Sequence, residues 1–261
     1  MEGGAAVVKP RVCVLRVAGT NCDYETAWAF AAAGAVPERV HLNLIISGAR
    51  RLTDFQILVI PGGFSYGDDI AAGRVLANEL RYKIRDQISE FLSRKRPVLG
   101  ICNGFQVLVK SGILPFGSGQ KVTLGWNDSG RFEDRWVFLR TEETVCPFVR
   151  GLAPVIRMPV AHAEGKFIAP VRVRRRLAEK GQVVFRYAAA SGGPASYPDN
   201  PNGSEDDIAG ICDSTGLVFG LMPHPERAAL REHDPYWLRC GHDDQPPAGA
   251  QIFRNVVEYV S

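Results

Sequence analysis

One cysteine stands where a thiol could do chemistry, in Gly100-Ile101-Cys102-Asn103-Gly104-Phe105-Gln106. The apolar Val98-Leu99 just ahead reads as a buried strand, and Phe105, Val107, Leu108, Val109 and Ile113 behind it suit a helix packed on a sheet. A residue at such a strand-to-helix junction sits on a sharp turn, with glycine on both flanks and its own side chain pushed outward. The following helix aims its N-terminus at the sulfur and favours the thiolate. The same string also fits an inert buried cysteine in a βα turn, so partners must decide.

A thiolate nucleophile needs a base, and the base needs something to orient it. Of the five histidines, His41 reads as structural inside an apolar strand, and His233 and His242 fall in a late Asp-rich loop as solvated side chains or weak metal ligands. His162 follows a strand and can face the cleft. His224 fits best: in Met222-Pro223-His224-Pro225-Glu226-Arg227, prolines stiffen the backbone on both sides and Glu226 is near enough to reach the same imidazole. A capped strand end with a surface carboxylate is the other reading of this pair. A carbonyl attacked by Cys102 also needs oxyanion donors. The backbone N–H of Asn103 is one, and the Gly62-Gly63 turn, with Gly63 as its donor, supplies the other. The set predicts acyl transfer through a thioester.

These residues need a sheet edge to meet on. Arg11 to Val17, Val40 to Ile46, Phe55 to Ile60 and the strand before Cys102 read as strands, separated by helices over Tyr24 to Ala33 and Val75 to Lys95. This alternation predicts an α/β fold, a doubly wound, mostly parallel sheet with helices on both faces. Asn21 or Asp23 can cap the first helix. The third strand is continuously apolar, as one covered on both faces must be, and Pro61-Gly62-Gly63 opens a cleft at its carboxyl end. From about Val122 shorter strands (Arg135 to Arg140, Pro154 to Val160, Val183 to Tyr187, Ile208 to Cys212, Leu217 to Met222) predict an antiparallel or mixed extension. Arg172 to Arg176 reads as a solvated strand or loop end, Arg231 to Gly249 as a loop, and Ala250 to Val260 as a closing helix.

The 261 residues, 46% of them hydrophobic, can bury one large core, and the expected organisation is a flexible tail over residues 1–9 followed by a single domain over 10–261. No apolar run is long enough to span a membrane, and the first residues lack the basic start of a signal peptide. Six scattered cysteines without zinc-type spacing suggest reduced thiols in a cytoplasmic protein. A net charge of +3 with no basic, aromatic-interleaved stripe argues against nucleic acid.

Gly-Ile-Cys102-Asn-Gly-Phe-Gln, the Pro-Gly-Gly-Phe turn and His224-Pro-Glu226 resemble the class I, triad-type glutamine amidotransferases, whose fold is flavodoxin-like. Pro61-Gly-Gly-Phe-Ser-Tyr-Gly-Asp, Asn127-Asp-Ser-Gly-Arg-Phe, Pro159-Val-Ala-His, Tyr197-Pro-Asp-Asn-Pro-Asn-Gly-Ser and Gly220-Leu-Met-Pro-His-Pro-Glu-Arg resemble, more narrowly, the glutaminase subunits of phosphoribosylformylglycinamidine synthase, from Arg11 to Ala228. Ala163 departs from the glycine expected after the histidine. The resemblance implies glutamine hydrolysis through a Cys102 thioester, with Gln106 and His162 as glutamine-binding residues. It implies ammonia transfer to a synthetase subunit acting on formylglycinamide ribonucleotide, and a small third subunit. No cofactor is expected on this chain; ATP and magnesium are expected on the synthetase. A different amidotransferase, or a redox or chaperone-like cysteine protein of the same fold, are the rival classes.

Overall fold

A computed structural model describes residues 9–117, 119–239 and 246–261. The expected tail, apart from Lys9, and His242 lie outside the described residues. Eleven strands and seven α-helices alternate along the described chain. In the first part come β1 (Arg11–Arg16), α1 (Asp23–Ala32), β2 (Val36–His41), α2 (Leu42–Ile46), β3 (Ile57–Ile60), α3 (Arg74–Tyr82), α4 (Arg85–Ser93), β4 (Val98–Ile101) and α5 (Asn103–Lys110). The second part holds β5 (Thr123–Trp126), β6 (Glu133–Thr141), β7 (Val155–His162), β8 (Glu164–Ile168), α6 (Val171–Glu179), β9 (Val183–Ala188), β10 (Ile208–Cys212), β11 (Val218–Leu221) and α7 (Ala248–Glu258).

Nine strands form one sheet in the order β2-β1-β3-β4-β11-β10-β9-β6-β7, and β5 pairs with β8 separately. Pairing is parallel from β2 through β11 and antiparallel from β11 through β7, as expected for a doubly wound sheet with an extension. The central strands β3, β4 and β11 are buried at every residue, because helices cover both faces. Edge strand β7 instead alternates buried and half-buried positions. On the helical layers α1 packs with α7, where Phe30 meets Phe253 edge-on at 4.9 Å, and α3 packs with α5.

Several boundaries differ from the sequence reading. The chain leaves β2 at His41, whose Nδ1 accepts from the Asn43 amide at 3.2 Å and caps α2, so Leu42 to Ile46 is helical rather than strand. The long helix over Val75 to Lys95 is two, broken at Lys83 and Ile84. Arg172 to Arg176 lies within α6, which buries only Leu177; Arg172, Arg175 and Arg176 are exposed, while Arg174 turns in to pair with Glu205 and Asp206 at 2.7 and 2.8 Å. Cys22, not Asn21 or Asp23, occupies the N-cap of α1; buried Asp23 instead lies beside Arg16 and Arg39, at 3.5 and 3.4 Å. The closing helix starts at Ala248, two residues earlier than expected.

The chain runs from β1 outward to β2 and returns on the other side of β1 as β3, so the strand order reverses there. Ligands bind at the carboxyl ends of strands next to such a reversal. An isolated bridge between Thr20 and Gly63 ties together the loops that leave β1 and β3 at this edge.

Candidate active site

Cys102 occupies the turn from β4 into α5 with φ 51° and ψ −106°. For a residue with a Cβ this left-handed backbone costs on the order of 1–3 kcal/mol and persists only when its surroundings enforce it. Two backbone hydrogen bonds do so: the Cys102 N–H donates to Leu221 O of β11 at 2.8 Å, and its carbonyl accepts from Gln106 N at 3.1 Å. Gly104 brings α5 so close to β3 that a Cβ there would lie 1.8 Å from Ile60 O. Helix, strand and turn are thereby fixed with the sulfur at the helix N-terminus. The thiol is 5% exposed and points toward Ala161 O, 3.8 Å away.

His224 leaves the end of β11, the strand beside β4. Its N–H donates to Pro159 O at 2.9 Å, and a short 3-10 turn over Pro225–Ala228 folds Glu226 back. The imidazole Nδ1 then lies 2.6 Å from Glu226 Oε1, with both side chains buried. Burial pulls the imidazole toward neutrality, but the Glu226 carboxylate and then Cys102 outweigh it and hold His224 well above the ordinary histidine range. Among the described residues, neither His224 Nε2 nor Glu226 Oε2 has a hydrogen-bond partner.

Gly62 is the hinge between these parts. A Cβ on it would sit 2.8 Å from His224 Cε1, 3.2 Å from Cys22 Sγ and 3.5 Å from Cys102 Cβ. The next residue, Gly63, has φ 135° and packs against Asn21 and Gly19. Among the described residues no hydrogen bond occupies the Gly63 amide, and the Asn103 amide opens α5 where no intrahelical acceptor exists. The side chain of Asn103 locks the two loops together. It accepts from Ser65 N at 3.3 Å and donates to Asp68 Oδ1 at 3.2 Å and to Gln106 Oε1 at 3.0 Å.

Gln106 and His162 also lie at this end of the sheet, both buried. Gln106 Nε2 donates to Glu164 O at 2.5 Å. His162 stands between two asparagines, Nδ1 at 3.1 Å from Asn127 Oδ1 and Nε2 at 3.5 Å from Asn202 Nδ2, with its ring packed on Gly165. Burial first, and the nearby His224 second, push its pKa down to about 3, so it is neutral. The exposed His233 lies in a 3-10 turn over Arg231–His233, apart from these residues.

Three residues of this region escape motif logic. Asn202 donates to Gly165 O at 3.0 Å and to the buried Tyr187 hydroxyl at 3.1 Å, and Asn127 Nδ2 donates to His162 O at 2.8 Å. The two asparagines belong to strings rich in turn residues, which mark a loop and not its buried hub. Cys22 is 2% exposed, and its sulfur accepts from Arg227 Nη2 at 3.2 Å. Its only signal was its place in the loop after β1.

Residues 9–260 match the family described as the CobB/CobQ-like glutamine amidotransferase domain. The chain is 41% identical over 267 residues to the phosphoribosylformylglycinamidine synthase subunit PurQ of Methanococcus maripaludis, covering 97% of this chain and 98% of that one. It is 44% identical over 254 residues to the PurQ subunit of Dehalococcoides mccartyi, covering 96% and 98%. Among solved structures, a chain of PurLQS from Thermotoga maritima superposes with a TM-score of 0.75 at 33% identity, over 97% of this chain and all of that one. By sequence and by fold, the chain belongs to the CobB/CobQ-like glutamine amidotransferase family and, within it, to the PurQ subunits of phosphoribosylformylglycinamidine synthase.

Proposed function

We propose that this chain is the glutaminase subunit of phosphoribosylformylglycinamidine synthase, hydrolysing glutamine and passing ammonia to a synthetase subunit in purine biosynthesis. One observation carries the chemistry: a cysteine held in a left-handed elbow beside a buried His224–Glu226 pair 2.6 Å apart. In this reading Cys102 gives its proton to His224 Nε2, and the thiolate attacks the side-chain carbonyl carbon of glutamine. Glu226 holds Nδ1–H and stabilises the imidazolium. The N–H groups of Gly63 and Asn103 receive the oxyanion. As the tetrahedral species collapses to the γ-glutamyl thioester, His224 protonates the leaving ammonia. His224 then deprotonates the water that cleaves the thioester and releases glutamate.

Gln106 and His162 hold the glutamine in this reading, Gln106 by exchanging its bond to Glu164 for one to the substrate. The synthetase binds ATP, magnesium and formylglycinamide ribonucleotide and forms formylglycinamidine ribonucleotide. The match to a chain of the PurLQS structure from Thermotoga maritima supports a synthetase subunit as partner, and a small third subunit belongs to the same reading. The five described cysteines are free thiols, which suits a cytoplasmic enzyme with a thiol nucleophile. Among the described residues no helix is long and apolar enough to cross a membrane.

The test is product formation by the assembled complex, comparing this chain with Cys102→Ala. The expected result is that the variant loses product from glutamine and keeps product from ammonium. A Cys102→Ala complex that still uses glutamine overturns the nucleophile. A wild-type chain that releases ammonia but supports no product overturns the acceptor.

A further inference from the structure

The second thiol of this region has no place in that mechanism. Cys22 lies at the N-cap of α1, and its sulfur, the His224 ring and Cys102 Cβ all fall within 3.5 Å of where a Cβ on Gly62 would stand. One donor atom each from Cys22, His224 and Glu226 falls within 4.8 Å of the others, and all three residues are buried. The glutaminase chemistry also leaves Glu226 Oε2 unused, a buried oxygen without a hydrogen-bond partner among the described residues. A thiolate, an imidazole nitrogen and a carboxylate oxygen are the donor set of a zinc-class cation.

We propose that Cys22, His224 and Glu226 form a binding site for a soft divalent cation of the zinc class, which inhibits the glutaminase by occupying its base. Tetrahedral metal–ligand bonds of about 2.0–2.3 Å require donor atoms about 3.5 Å apart. The donors lie within 4.8 Å of one another, so the widest separation must close by up to about an ångström, while His224 Nδ1 and Glu226 Oε1, 2.6 Å apart, must open by about as much to admit the ion. The metal displaces the proton between His224 and Glu226 and takes the Cys22 sulfur from Arg227, which keeps its second partner, Glu25, at 3.2 Å. A fourth position is left for water. Metal binding itself does not depend on the glutaminase reading; inhibition does.

The experiment separates the two. Cadmium is titrated into the full chain carrying Cys102→Ala, kept reduced with a non-thiol reductant, and the sulfur-to-cadmium charge-transfer absorption is followed. One equivalent is expected to develop the band, Cys102→Ala/Cys22→Ser is expected to lose it, and Cys102→Ala/Glu226→Gln is expected to weaken binding by about tenfold. Absence of the band in Cys102→Ala overturns the site, since the nucleophile alone would then be the metal ligand. A band that survives Cys22→Ser assigns the metal to another cysteine and also overturns it. In the assembled complex with Cys102 intact, zinc is expected to inhibit ammonia release reversibly with chelator. Cys22→Ser, measured against its own uninhibited rate, raises the zinc concentration needed by about tenfold. Equal zinc sensitivity of the two proteins refutes inhibition through Cys22. A complex inactive before zinc is added refutes the glutaminase reading and leaves the cadmium result standing.

Discussion

Replacing Glu226 with Gln isolates what the carboxylate contributes. The side chain is isosteric and 1% exposed in the parent, so the change removes charge without leaving a hole. A hydrogen bond to a charged group contributes about 1.5–3 kcal/mol, and removing one partner of a buried ion pair costs about 3–5 kcal/mol. Each ~1.4 kcal/mol is tenfold in rate, so kcat for ammonia release is expected to fall by about 10²–10³-fold. The pH profile should move as well. Burial drives the imidazole down, and Glu226 is the largest of the opposing influences that leave it raised. Without that carboxylate the imidazolium loses its proton at lower pH, so the alkaline edge of activity shifts downward. Coupled ammonia release in the assembled complex, measured across pH for both proteins, tests this. A loss of less than about threefold, or an alkaline edge that stays in place, refutes the role given to Glu226.

Other parts of the site make separate predictions. Gly104→Ala places a Cβ 1.8 Å from a backbone oxygen of β3, and that overpacking should cost about 3 kcal/mol or more and lower Tm by about 6 °C or more, as read by calorimetry. Gly62→Ala should slow ammonia release by tenfold or more, about 1.4 kcal/mol, because its methyl group meets His224, Cys22 and Cys102; an unchanged rate contradicts this packing. His162 is held neutral with its pKa pushed down to about 3. A histidine depressed on folding contributes stability that is present above its unfolded value of about 6.5 and lost as pH falls toward the folded value, at up to about 1.4 kcal/mol per pH unit. His162→Gln should therefore flatten the fall in urea midpoint between about pH 6 and pH 4, and an unaltered slope counts against it.

The proposed catalytic set is legible because its signals are local. Glycines around Cys102 announce an elbow, and two prolines with a carboxylate two residues on announce how His224 is held. The buried runs of β3 and β4 were equally plain, since a strand covered on both faces has nowhere to put a polar residue. What stayed hidden depends on distant partners. Val36 to Glu38 has little strand character of its own and is strand because β1 pairs with it. In Val171 to Glu179 the arginines mask a helix that needs only Leu177 buried. Asn202 gains meaning only when Tyr187 and Gly165, from other strands, close around it. Cys22 belongs with His224 only because the loops leaving β1 and β11 converge over Gly62 at the end of β3, and no local pattern encodes that convergence.

The strand order also governs timing. β11 is the last described strand in the chain, yet it lies in the middle of the sheet, between β4 and β10. Until Val218–Leu221 is inserted, the Cys102 amide lacks its Leu221 acceptor and His224 has no strand end to hang from. In the proposed mechanism a chain truncated before β11 carries the Cys102 thiol without its His224 base, and such a chain is expected to release no ammonia from glutamine.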